Sequence, residues 1–157
     1  MSTTVSYEIT MNDFKFIADG YLKEQTLLFL KKNKDYGDSF IKSMKKFGDL
    51  SALVRMDDKM NRYLQLKGSD VIEVQDEKID DTLLDLLNYI VMFEAYKKHK
   101  ALTVVDYLDT LLNEVYNLYI LKNGATFKVL TKHLNYDSDE ATQVCKALQE
   151  IIIKKLK

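Results

Sequence analysis

The sequence predicts an all-α fold, a helical bundle with extra helices at its C-terminal end. The chain has no proline and only five glycines among its 157 residues, so few positions interrupt a helix. Apolar residues also recur at intervals of three and four along most of the chain, which is the period of an amphipathic helix. The chain is long enough to bury a sizeable core, and its 46% hydrophobic residues are typical of a globular protein.

The apolar period and the capping residues together predict the order of the helices. Gly37 supplies a turn in a polar break at 33–37, Gly48 ends the helix that follows, and the segment 67–78 reads as a loop. We expect two units, a helical domain over 1–100 and a C-terminal helical extension over 101–157. The predicted helices lie near 12–32, 38–47, 50–66, 79–98, 103–121, 126–134 and 138–156.

Charge and cysteine usage narrow the functional class. A net charge of −1 argues against a general binder of polyanions, although local patches remain open. The single cysteine, Cys145, has no internal disulfide partner, which favours a reducing compartment. No apolar run approaches the length of a membrane span, and the N-terminus lacks a signal pattern. We therefore expect a cytoplasmic protein with no membrane contact.

A polar stripe on the apolar helix 79–98 is the first candidate site. Asp81, Asp85 and Asn88 fall within about 60° of one another on a helix. Carboxylates inside an apolar helix need a partner or a metal, and two of them one turn apart can share a divalent ion such as Mg²⁺. The alternative is that Asp81 and Asp85 pair with basic side chains of a neighbouring helix.

A cationic arc on the preceding helix is the second candidate. Arg55, Asp58, Lys59 and Arg62 lie within about 100° of rotation, apart from the apolar side of the helix. Arginine binds phosphate by bidentate contacts and lysine as a point charge, so this face could bind a phosphorylated ligand. The arc could equally be the partner of the polar stripe, or a solvated face.

The polar segment before Gly37 is the third candidate. It places Tyr36 between charged residues, with Lys34 and Asp35 before it. Such a loop could close over a nucleobase or a phosphate, and the same residues also form ordinary turns.

Three motifs then resemble a known family. The stretches KDYGDSF, RMDDKMNRY and DDTLLDLLNY stand in the order found in the nucleotide-modification-associated domain family of phages and bacteria. The resemblance covers roughly Phe14 to Phe93. It implies a link to nucleotides and a bacterial or phage-infected host cell, with Lys34, Asp35, Tyr36 and Asn88 joining the three cations as residues that bind the substrate.

The arrangement also resembles the all-α NTP pyrophosphohydrolases of the MazG-like group. In that group an E-E-x-x-E motif and an E-x-x-D motif hold Mg²⁺ for cleavage of an NTP to NMP and pyrophosphate. Here Asp57, Asp58, Lys59 and Arg62 stand at the first motif, and the second is D-x-x-x-D. The resemblance implies a MazG-like bundle, a Mg²⁺ site at Asp58, Asp81 and Asp85, and a homo-oligomer.

Three functions follow as expectations. The first is a Mg²⁺-dependent (d)NTP pyrophosphohydrolase. The second is a protein that binds or sequesters a nucleotide without catalysis, which the missing glutamates favour. The third is a regulatory module in which residues 126–156, faintly similar to a helix-turn-helix, contact DNA or a protein. An extra helical hairpin or a dimer surface is the simpler interpretation of those residues, and the run Ile151 to Ile153 supports an oligomer.

Overall fold

A computed structural model describes residues 11–68, 72–120 and 124–155, except for the side chains at 11, 14, 15, 17, 26, 28–38, 72–77 and 155. These residues are almost entirely helical and contain no strand, so the predicted all-α class is confirmed. None of the described helices is long and apolar enough to cross a membrane. The helices are α1 (Met11–Phe47), α2 (Asp49–Lys67), α3 (Ile72–His99), α4 (Val104–Ile120), α5 (Ala125–Lys128), which continues into a π-helical turn (Val129–His133), and α6 (Ser138–Lys155).

The predicted break at 33–37 is wrong. The backbone is helical without interruption from Met11 to Phe47, so the two helices expected at 12–32 and 38–47 are one. A single glycine such as Gly37 costs a helix only about 1 kcal/mol, and each further residue of an existing helix adds a hydrogen bond without a new nucleus. With no proline in the segment, the helix continues through the polar stretch.

The start of α3 was also predicted too late. The helix begins at Ile72, whereas the sequence indicated a loop over 67–78. Glutamine, glutamate and lysine are good helix formers even where no apolar period marks them, so the acidic stretch before Ile79 joins the helix. Of the residues between Lys67 and Ile72, only Gly68 is among the described residues.

Helix α3 forms the centre of the bundle. It packs against α2, α4 and α6, and its apolar side chains lie in one core that both parts of the chain share. Burying a leucine or isoleucine contributes about 1.5–3 kcal/mol, so this helix provides a large part of the stabilising free energy. The buried residues of its middle turns are Leu83, Leu86, Leu87, Ile90, Val91, Met92 and Phe93.

The C-terminal isoleucines pack inside the chain. Ile151 and Ile152 are buried, and Ile153 is partly buried against the same core. The isoleucine run therefore packs mainly against the core of its own chain and leaves little apolar surface for a second copy. The expected homo-oligomer stays a prediction, now without this support. The expected division of the chain into a helical domain over 1–100 and an extension over 101–157 also stays a prediction.

A buried carboxylate connects α4 with α5. Glu114 is only 2% exposed, and it accepts hydrogen bonds from the backbone N–H groups of Ala125 at 2.6 Å and Thr126 at 3.0 Å. Burial raises the pKa of Glu114, while the hydrogen bonds from Thr126 and Ala125 partly oppose that rise. Gly124 lies so close that an added Cβ would stand 2.7 Å from the Cβ of Asn117, so no larger residue fits here without a shift.

We expect the junction between α1 and α2 to depend on Gly48. Its φ of 72° and ψ of −162° lie in a region that only glycine adopts readily, although an added Cβ would meet no atom within 4 Å. Gly48→Ala should therefore lower the free energy of unfolding by about 1–3 kcal/mol through backbone strain alone. Denaturant unfolding measures the change.

Gly68→Ala is the matched control for that variant. Gly68 has φ −82° and ψ 0°, and its added Cβ would make only ordinary contact with the Leu64 carbonyl oxygen at 3.6 Å. The free energy of unfolding should stay the same or rise by about 0.5 kcal/mol. Equal losses in both variants would contradict the assignment of strain to Gly48.

Removal of the Glu114 carboxylate should cost stability because two backbone donors lose their acceptor. Glu114→Ala is expected to lower the free energy of unfolding by about 2 kcal/mol or more. Asn113→Ala, at the exposed neighbouring position, should change it by less than about 0.5 kcal/mol. Thermal or urea unfolding of the two variants tests this difference.

The stabilisation by Glu114 should also depend on pH. Because its pKa is raised in the folded state, the folded protein binds that proton more tightly than the unfolded chain does. The favourable contribution is complete below the ordinary carboxyl pKa of about 4.3 and is lost as the pH rises through the raised value. The stability difference between wild type and Glu114→Ala should thus be larger at acidic than at alkaline pH, and a difference that grows with pH would contradict this.

Candidate functional site

A cleft with a volume of about 520 Å³ lies along the outer face of α2. Its walls carry three cations, one carboxylate, two side-chain amides and one aromatic ring. We refer to it as the α2 cleft. The residues that line it are Arg55, Asp58, Lys59, Asn61, Arg62, Gln65 and Tyr89.

The period of α2 explains why these side chains share one face. Met56, Met60 and Tyr63 are buried on a neighbouring face, where α2 packs against the rest of the bundle. Consecutive residues of a helix are 100° apart. When positions 56, 60 and 63 are buried, the preceding positions 55, 59 and 62 therefore share a face that is turned about 100° from the buried one. The cationic arc predicted from the sequence therefore becomes one wall of the cleft.

The three cations differ in the contacts that they already make with other side chains. Lys59 Nζ lies 3.2 Å from Asp85 Oδ2 on α3, an ion pair whose two side chains are both partly exposed. The guanidinium of Arg55 stands 5.9 Å from the centre of the Tyr89 ring, in a cation–π arrangement. Arg62 is exposed and has no ion pair or hydrogen bond with any other described side chain. Arg62 is thus the cation most available to a ligand.

The polar stripe of α3 does not act as one unit. Asp85 reaches the cationic arc, as the hypothesis of a partner across the helix interface predicted. Asn88 instead accepts a 2.6 Å hydrogen bond from the hydroxyl of Tyr107 on α4, because that buried hydroxyl needs an acceptor. Asp81 is exposed and, like Asn88, is not among the residues that line the α2 cleft.

The predicted metal ligands do not come together as a set. Within the described part of the chain, no group of three or more His, Cys, Asp or Glu side chains could hold a metal ion. The side chain of Glu77, one turn before Asp81, lies outside the described residues. The expected Mg²⁺ site at Asp58, Asp81 and Asp85 stays a prediction.

The segment with Lys34, Asp35 and Tyr36 is helical in the structure instead of forming a loop. Their side chains lie outside the described residues, so their predicted contact with a substrate stays a prediction. Cys145 is buried, and burial raises the pKa of its thiol to about 12, which fits a packing role better than that of a nucleophile.

Sequence reasoning missed three residues of the cleft. Asn61 and Gln65 extend the cationic arc along the same helix, so continuing the arc by one turn could have found them. Tyr89 belongs to another helix, α3. No pattern in the sequence indicates that its ring lies under Arg55.

A second, smaller cavity of about 270 Å³ lies between the end of α3, α4 and α5. It contains the buried Glu114 together with Glu94, Lys98 and Lys128, so its charges are mixed. Because Glu114 already binds two backbone N–H groups, its carboxylate has a structural role there.

Comparison with protein families finds a match for the central segment of the chain. No curated protein and no solved structure matches the chain. The MazG-like resemblance is not confirmed by these comparisons and stays a prediction. All residues that line the α2 cleft lie within residues 32–93, the segment that a family model matches. Residues 32–93, which include all of α2 and most of α3, match the family described as nucleotide modification associated domain 1, so the resemblance to that family is confirmed for this segment.

Proposed function

We propose that this protein binds a nucleotide in the α2 cleft, through its phosphate groups. The observation that supports this most is a cleft with three cations against one carboxylate, within the segment that matches a nucleotide-modification-associated domain. Its volume of about 520 Å³ lies in the range typical of small-molecule sites. A phosphorylated ligand of ordinary size therefore suits both the charge and the dimensions of the cleft.

Arg62 and Arg55 would make the main phosphate contacts. A guanidinium offers a planar fork of donors that matches two phosphate oxygens, and such charge-assisted hydrogen bonds are among the stronger ones. Arg62 has no competing described partner, whereas Lys59 is held by Asp85. The Lys59–Asp85 pair would orient the ammonium group and limit its contribution to binding.

The other walls would contact the nucleoside. Tyr89 offers an aromatic ring that could pack against a base or ribose, and Asn61 and Gln65 offer amide donors and acceptors. The class of ligand we propose is thus a nucleotide, including a modified one, bound in the cleft of a protein of nucleotide metabolism.

Hydrolysis of a (d)NTP with Mg²⁺ is the finer function that the MazG-like resemblance implies. The cations of the α2 cleft support binding of the phosphates directly, whereas no group of three acidic side chains among the described residues adds support for turnover, so we propose binding as the function of the cleft. The C-terminal alternative has less support, because the exposed residues of α6 have both signs of charge, with Asp139 and Glu150 beside Lys146.

The proposal predicts that Arg62→Ala weakens nucleotide binding about tenfold, since one charge-assisted contact is lost. Calorimetric titration with nucleoside mono-, di- and triphosphates, with and without Mg²⁺, measures the dissociation constants. Lys146→Ala, which removes an exposed positive charge on α6, is the matched control and should bind as the wild type does.

Two further results would decide against parts of the proposal. Free nucleosides that bind as tightly as their phosphates would contradict the role of the cations. Release of pyrophosphate from a triphosphate, dependent on Mg²⁺ and lost in Asp85→Asn, would establish hydrolysis in place of simple binding. Thermal shift should parallel the calorimetry, because a ligand of the native state raises its apparent stability.

A further inference from the structure

A short chain of hydrogen bonds connects the C-terminal part of the molecule with the α2 cleft. The hydroxyl of Tyr136 donates to Asp57 Oδ1 at 2.7 Å, and Asn61 Nδ2 donates to Asp57 Oδ2 at 3.3 Å. Asp57 and Asn61 are one turn apart on α2, whereas Tyr136 precedes α6 and lies outside the segment that matches the family. Asn61 is itself a wall of the cleft.

The backbone around Tyr136 is held in place by a turn. The N–H of Leu134 donates to the Val129 carbonyl at 3.0 Å, and the N–H of Tyr136 donates to the Leu130 carbonyl at 2.9 Å. Asn135 between them has a φ of 62°, a left-handed conformation that asparagine tolerates better than most residues. The turn thus presents the Tyr136 ring to α2 from a fixed backbone.

A second polar contact joins the same two parts of the molecule. Lys67, at the end of α2, donates to the side chain of Gln143 on α6. The two contacts are almost three helical turns apart along α2, so the C-terminal part of the molecule contacts this helix at two separate points. Burial and the nearby Asp57 carboxylate raise the pKa of Tyr136, so its hydroxyl keeps its proton and remains a donor at neutral pH.

We propose that Tyr136 is a positioning residue of the α2 cleft, and that it acts on the bound nucleotide through Asp57 and Asn61. This inference rests on the proposed function. With Asp57 held by Tyr136, the Asn61 amide nitrogen has a fixed acceptor, and its carbonyl oxygen is left to accept a hydrogen bond from a donor on the ligand. The C-terminal extension would then complete a site whose charged residues all belong to the matched segment.

Loss of the Tyr136 hydroxyl should affect ligand binding only through Asn61. Without Tyr136, one oxygen of Asp57 has no described donor, so the carboxylate can rotate and the Asn61 amide loses its fixed orientation. The cations of the cleft would keep their places, because they depend on the packing of α2 against α3. Binding should therefore weaken without being abolished.

A double-mutant cycle with Tyr136→Phe and Asn61→Ala tests this inference. We expect each single variant to weaken nucleotide binding about fivefold, and the double variant to bind no more weakly than Asn61→Ala alone. Calorimetric titration with a nucleotide that binds the wild type gives the four dissociation constants. Tyr116→Phe removes a hydroxyl from an exposed ring on α4 and should leave the dissociation constant unchanged.

Melting temperatures of the same proteins separate positioning from stability. An unchanged dissociation constant in Tyr136→Phe, with or without a lower melting temperature, would overturn the inference and leave the proposed function intact. Effects that simply multiply in the double variant would overturn it as well, because Tyr136 would then act independently of Asn61. A wild-type protein that binds no nucleotide would reject the proposed function itself and this inference with it.

Discussion

The packing of α2 against α3 determines where the functional groups of this molecule lie. Met56 and Met60 are completely buried in that interface, and burying side chains of this size contributes about 1.5–3 kcal/mol each. The partly exposed Lys59–Asp85 pair, by comparison, contributes about 0–1 kcal/mol. The apolar contact therefore fixes the rotation of α2, and the ion pair adjusts the position of one side chain within a cleft that already exists.

The C-terminal part of the chain contributes to the same structure. Val144, Leu148 and Ile152 of α6 are fully buried in the core that contains α3, so the central segment does not form its hydrophobic interior alone. The polar contacts of Tyr136 and Gln143 then connect this part with α2. The C-terminal segment, which lies outside the family match, thus has a structural role: it packs in the shared core and contacts the helix that carries the cleft.

Local patterns in the sequence predicted most of the helices and one wall of the site. The period of α2 separated Met56 and Met60 from the cationic arc, and Gly48 marked the end of a helix correctly. The errors arose where local signals were weak. Gly37 did not break α1, and polar helix formers extended α3 beyond its apolar part. Helix propensity and propagation outweighed the single turn residue in one place and the missing period in the other.

Contacts between distant parts of the chain could not be predicted in this way. Asn88 accepts a hydrogen bond from Tyr107, and a hydroxyl buried on another helix leaves no mark in the pattern of α3. The predicted contact of Asn88 with a substrate stays a prediction. The bond from Tyr136 to Asp57 and the two bonds to Glu114 depend likewise on how helices cross. Such pairs follow from tertiary packing, whereas the period of a helix specifies only which of its own residues share a face.

An amide NMR titration with a nucleotide tests the location of the site most directly, because it reports on every helix at once. We expect the resonances of α2 between Arg55 and Gln65, together with that of Tyr89, to shift in a saturable manner as nucleotide is added. Resonances around Glu114 and Gly124, in the second cavity, should change little. Saturable shifts confined to that second cavity, with α2 unaffected, would contradict the assignment of nucleotide binding to the α2 cleft.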